Sequence, residues 1–260
     1  MSNTGVTFDS KGRLEPDEAL KKPAHLKSRN YFKFPDLDFD PKGCYKRISS
    51  TFDISLSEEH FVTETTDILN QSRISLGVED DLNVIAVPFF TPKLGSGDLG
   101  EILENTLIPA VGKSYTNIFP EYEFKNEFPH PLKGHLKSIP GLGHDRLENA
   151  VKQAPVVGVF LFVLREYSVY AAREQVEILG EEFGLAGPID LSSVFVSQPN
   201  LLFHKDEYPP LVWMSGCQTS WDHANFHYEA YGYNLMFNRR VHYEQVAEYW
   251  AHGVTCFRSI

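Results

Sequence analysis

Ten consecutive positions, SWDHANFHYE at residues 220–229, carry two histidines and two carboxylates set among aromatic rings. An imidazole beside a carboxylate is the raw material of a general acid–base pair, of a metal site, or of the polar rim of a cofactor pocket. Alternate side chains of a strand share a face, so a strand here would turn His223, Asn225, His227, Glu229, Tyr231 and Tyr233 the same way. If that face lines a cavity, His227 and Glu229 meet there as base or ligand. The H-x-x-x-H spacing also suits a zinc-binding helix, but the GYN stretch and the dense aromatics favour a strand. Plain hydrogen-bonded strand residues remain the alternative at this point.

Other stretches offer chemistry of their own. His204-Lys205-Asp206 matches H-x-D, the start of a facial triad for non-haem iron, with zinc as a second metal for the same groups. His242 or His252 would supply the second histidine. Cys217 in SGCQTSW is a nucleophile if a histidine lies nearby and otherwise a buried thiol. The glycine runs KLGSG and PGLGHD lack a phosphate-loop lysine and read as turns. Arg165 closes the most hydrophobic run of the chain, APVVGVFLFVLR. A guanidinium is costly there unless it faces a pocket or pairs with Glu166 or Glu174 at the surface.

The bulk properties narrow the partners. The chain has 260 residues, 42% of them hydrophobic, enough for a substantial core. Its formal net charge of −11 argues against nucleic acid and against an anionic membrane surface. The longest apolar run, residues 154–164, is about half of the roughly 20 residues a membrane helix needs. The first 22 residues lack the apolar stretch of a secretory signal, and the three cysteines form no CxxC pair. The expectation is a cytoplasmic protein with free thiols. Its expected partner is a small-molecule substrate, with a homodimer as a further expectation. Aromatic residues, at 13%, suit either a bulky core or a pocket for a flat ligand.

These residues need elements to hold them. Residues 1–45 carry no sustained period and read as an arm. A first half, 46–130, contains a strand at 47–56, a helix at 56–71 capped by Ser57, a strand at 82–90, a helix at 97–114 that Pro109 kinks or divides, and a strand at 122–128. A Gly/Pro-rich connection, 131–155, leads to a second half, 156–260. This half opens with the strand VVGVFLFVL and a helix at 168–183 capped by Ser168. Strands at 192–203 and 226–237 follow, then a helix at 239–252 and a closing strand at 253–260. The order β-α-β-β-α-β is that of a ferredoxin-like unit. The fold class predicted is therefore α+β, with two tandem ferredoxin-like halves forming an α/β barrel.

Several stretches, in their order, resemble the haem-containing dehydratases typified by the aldoxime dehydratases. They are KPAHLKSR (22–29), KGHLKSIPGLGHDRLE (133–148), FLFVLREYSVYAARE (160–174) and VHYEQVAEYWAHGVTCF (241–257). The resemblance implies a lyase that dehydrates an apolar or aromatic small molecule on a buried haem b. Arg165 matches the arginine that orients substrate there, and Ser193 or Ser197 the serine donor. His252 is nearest the axial position, which Gly253 occupies. His227 would act across the cavity as acid–base group. The alternatives are a non-haem metal enzyme using His204 and Asp206, a cofactor-free isomerase or cyclase using His227 and Glu229, and a protein that binds an aromatic ligand without chemistry.

Overall fold

The most hydrophobic segment of the chain becomes a strand buried on both faces, β4 (Val156–Arg165). In the computed structural model, which describes residues 5–241 and 243–260, β4 lies between β1 (Ala86–Thr91) and β10 (Trp250–Ser259), antiparallel to both. The sheet continues from β10 through β6 (Leu211–Trp213), β8 (Ala224–Tyr231) and β9 (Asn234–Val241) to β2 (Phe124–Asn126). Short β5 (Gly184–Leu185) also pairs with β10, while β3 (Leu136–Ser138) and β7 (Cys217–Thr219) form a separate ribbon. The β10–β6 and β9–β2 pairs are parallel and the other pairs are antiparallel.

Helices cover both faces. Phe160 and Phe162 of β4 face α7 (Pro188–Ser197), while Val159, Leu161 and Val163 face α2 (Glu58–Leu76) and α6 (Val169–Ile178). Capping fixes where those two helices start. The Ser57 side chain accepts from the amide of His60, and that of Ser168 from Ala171. Helix α3 (Leu99–Ile102), capped by Asp98, widens into a π turn at Leu103–Leu107 and continues as α4 (Ile108–Ile118). The π turn lies directly ahead of Pro109, whose ring and missing N–H would disrupt a regular helical turn.

The α+β class stands, with a large mixed sheet. The expected barrel does not form: the strand path is open, with β1 and β2 at its ends. Nor do two ferredoxin-like halves emerge from the strand order, because residues 46–130 supply only those two edge strands.

Several predicted elements also change. Residues 47–56 finish helix α1 (Pro41–Ser49), which Asp40 caps, and then run without regular structure. The strand predicted at 192–203 is the C-terminal half of α7 and a loop. All ten residues of α7 are buried, so apolar side chains surround it and no helical stripe shows in the sequence. The strand at 226–237 is the β8–β9 hairpin, turned by Gly232 at φ 61° and Tyr233. The helix predicted at 239–252 is the tail of β9, a connection and the start of β10. The connection at 131–155 contains α5 (His144–Gln153).

Candidate functional site

Strand alternation determines which side chains can meet. Phe226 and Tyr228 of β8 point into the main core, so Asn225, His227 and Glu229 point to the opposite face. Across the ladder, Trp213 lies opposite His227, Asn238 opposite His227 on the other side, and Arg240 opposite Asn225. Trp250 of β10 is paired with Leu211 and so joins the same face. Tyr243, Ala247 and Tyr249, together with Val169 and Tyr170 of α6, pack over this row. The Tyr243 hydroxyl donates to the carbonyl of Ala224, tying the connection to β8.

The row forms a graded polar cluster. Glu229 accepts from Arg240 Nη2 at 2.8 Å and from Asn238 Nδ2 at 2.8 Å. His227 Nε2 stands 3.4 Å from Glu229 Oε1, close enough for electrostatic coupling but not aligned as a hydrogen bond. The His227 ring is 5.0 Å from that of Trp213, which meets Trp250 edge-on at 5.1 Å. The Arg240 guanidinium sits 5.6 Å over the Tyr249 ring. Beside Arg240 and Trp250 opens a cavity of about 350 Å³, walled further by Arg239, Gln245, Val246, Ala247 and Tyr249.

The electrostatics assign protonation states. Burial drives the pKa of His227 down, against the pull of Glu229, so the imidazole is neutral at pH 7. Burial alone would raise Glu229, but its contacts with His227, Arg240 and Asn238 prevail and bring it down to about 2. A carboxylate beside Nε2 draws the imidazole proton to that nitrogen and leaves the Nδ1 lone pair free. His227, Trp213 and Trp250 are at most 4% exposed. Both His227 nitrogens, both indole N–H groups and Arg240 Nε are buried without hydrogen-bond partners. Five such atoms on adjoining side chains require an explanation.

The other predicted site residues among those described lie in separate places, and none of them shares a partner with the His227–Glu229 pair. Arg165 donates to the carbonyl of Lys11 at 2.5 Å, and its own carbonyl accepts from Arg13, so the N-terminal arm holds it. Ser197 is the last residue of buried α7 and donates to Val194 at 3.0 Å. Ser193 pairs with Thr91 at 2.8 Å. His252 has both nitrogens engaged, Nδ1 with Ser215 Oγ at 2.6 Å and Nε2 with the carbonyl of Tyr167 at 3.0 Å. Burial holds its pKa at about 4. His204 Nδ1 accepts from the amides of Asp206 and Glu207, a local turn. His242 lies outside the described residues. Among the described residues no three His, Cys, Asp or Glu groups gather as a metal site. Cys217 is buried, its thiol donates to the carbonyl of Met214 at 3.2 Å, and burial pushes its pKa up to about 12, which makes it a poor nucleophile.

A second buried polar group escaped the sequence reading. His144 Nδ1 meets Ser138 Oγ at 2.7 Å, and Ser138 donates to Glu148 at 2.6 Å. Because His144 Nε2 accepts from the amide of Ile189, the protons run from His144 to Ser138 to Glu148. Nearby Asp190 accepts from the amides of Gly187 and Leu191 and from Thr255. The group braces the start of α7 and leaves Ser138 without a base.

No family model matches the chain, and no curated protein or solved structure matches it significantly. The functional reading therefore rests on the geometry of the β6–β8–β9–β10 face.

Proposed function

We propose that the protein is a cofactor-free acid–base enzyme that moves a proton on a small molecule bound at this face. One observation carries the reading: a fully buried, neutral His227 lies beside an ionised carboxylate and among unpaired indole and guanidinium donors. In the reaction, His227 Nδ1 takes a proton from a carbon next to a carbonyl. The C–H electron pair becomes the carbon–carbon double bond of an enolate, and the negative charge passes to oxygen. Glu229 stabilises the imidazolium formed, and the unpaired N–H donors are of the type that stabilises the oxyanion. Where the substrate carries a β,γ double bond, the enolate is conjugated with it, and return of the proton to the γ carbon moves the double bond next to the carbonyl and completes an isomerisation. Because His227 is enclosed, residues 243–249 must lift for substrate to reach it, as lids do.

The haem-dependent dehydratase fits these residues less well. A haem iron needs an axial imidazole nitrogen, and both nitrogens of His252 are already bonded.

The test is hydrogen exchange. Ketones and carboxylic acids are incubated with the protein in deuterium oxide, and loss of the proton next to the carbonyl is followed by NMR. Exchange on a bound compound should fall about 10²–10⁴-fold in His227→Gln. A compound that binds beside Trp250 yet exchanges no faster than in buffer would leave a ligand-binding protein without chemistry.

A further inference from the structure

The unpaired groups of this face also say what kind of molecule they fit. Trp213 Nε1, Trp250 Nε1 and Arg240 Nε are buried and unpartnered, and all three are donors that cannot accept. A ligand satisfying them must bring acceptor oxygens. A ligand rich in hydroxyl or amide donors would leave them unpaired, at a cost that selects against it.

Charge narrows the choice. Two arginines wall the cavity, but Arg239 turns to the other face, where its guanidinium sits 5.0 Å over the Phe128 ring, so Arg240 is the charged group that this face presents. Glu229 takes up Nη2 of Arg240 at 2.8 Å and leaves its Nε unpaired. The acids of the covering segment are already matched outside the site, Glu244 with Lys22 at 3.3 Å and Glu248 with Arg29 at 2.6 Å. A single carboxylate brings acceptor oxygens for Arg240 Nε and for the indole N–H groups, whereas a dianion adds a second negative charge beside Glu229 with no further cation among the described wall residues of this face to meet it. Apart from the amide of Gln245, the rest of the wall is apolar or aromatic: Val241, Val246, Ala247, Tyr249 and Trp250.

We propose that the ligand of this face is a small monoanionic carboxylic acid with a flat apolar body. Its carboxylate would lie at Arg240 and the indole N–H groups, and its body against Tyr249 and Val246. This inference rests on the reading of the face as the substrate site and specifies the substrate class.

The chain contains three tryptophans, so their indole N–H signals report the outcome directly. Trp221 stacks on His135 in a different cleft, with His130 and Arg239, and serves as internal control. The signals are assigned with Trp213→Phe, Trp221→Phe and Trp250→Phe, and the intact protein is titrated with benzoate, benzamide and phenyl phosphate. Benzoate should shift the Trp213 and Trp250 signals and leave Trp221 in place. Benzamide and phenyl phosphate should bind at least about tenfold more weakly, and Arg240→Gln should weaken benzoate by a similar factor.

Equal binding of benzamide overturns the proposal, because charge would then not be read. Tighter binding of phenyl phosphate overturns it in favour of a dianion. Movement of Trp221 alone, or of no signal with any of the three probes, overturns it as well. Benzoate binding without proton exchange on any bound acid would keep this inference and remove the acid–base reading. Exchange on neutral ketones with no benzoate shift would do the reverse.

Discussion

Replacing Glu229 by glutamine removes the charge at the centre of the site while keeping the side-chain volume. The Glu229 carboxyl sits at about 2, against an ordinary 4.5. Its ionised form is therefore favoured by folding. The linked stability is complete above the unfolded value and drains away as the pH falls from about 4.5 towards 2. At roughly 1.4 kcal/mol per pH unit the gap amounts to about 3 kcal/mol near neutrality. The Arg240 side chain is 40% exposed, and solvent screening through it cuts the figure to about 1–2 kcal/mol. Urea unfolding at pH 7 should show Glu229→Gln less stable by that amount. At pH 3.5, where part of the wild-type advantage has already gone, the gap should shrink by roughly 40%. Carboxylates elsewhere titrate alike in both proteins and cancel in the difference. A gap that is unchanged or wider at pH 3.5 would refute the reasoning.

Two further expectations follow from packing. Gly253 sits at the β-bulge between His252 and Val254, and a Cβ there would lie 1.8 Å from Phe160 Cε1. Gly253→Ala should lose about 3 kcal/mol or more in chemical denaturation, and a loss below about 1 kcal/mol would show that Phe160 moves aside freely. His252→Asn should cost about 2–4 kcal/mol, because it breaks two buried hydrogen bonds and leaves partners unpaired. Haem added to wild type and variant should give the same absorption spectrum. A Soret band present in the wild type alone would restore His252 as an axial ligand.

The elements legible in the sequence were those with a local signal. Ser57 and Ser168 each precede a helix whose first turn they cap, and the VVGVFLFVL run is apolar enough to be a central strand. The elements misread were those whose pattern is set by their surroundings. Helix α7 is enclosed on every side, and its VFV triplet therefore looks like a strand. In residues 239–252 the alternation of β9 passes into a connection and then β10, and the sum imitates helical spacing. The site was legible to the same extent. His227 and Glu229 lie two apart on one strand, so their common face follows from alternation. Trp213, Arg240 and Trp250 come from three other strands, and only the tertiary register brings them there. Arg165 misled for the opposite reason, since its contact is with the distant Lys11.

The central place of β10 has a consequence for how the chain is made. Strand β4 leaves the ribosome about 95 residues before Ser259, the end of the strand that covers its other edge. At about 5–20 residues per second, that edge of the most apolar segment waits about 5–20 seconds for its partner. Collapse around β1 and α2 can begin earlier, but no strand pairing joins β6–β8–β9 to β4 until β10 threads between the two groups. Newly made chains therefore pass through a sticky stage set by synthesis rate, and slower growth at low temperature or a chaperone that shields β4 should decide how many survive it.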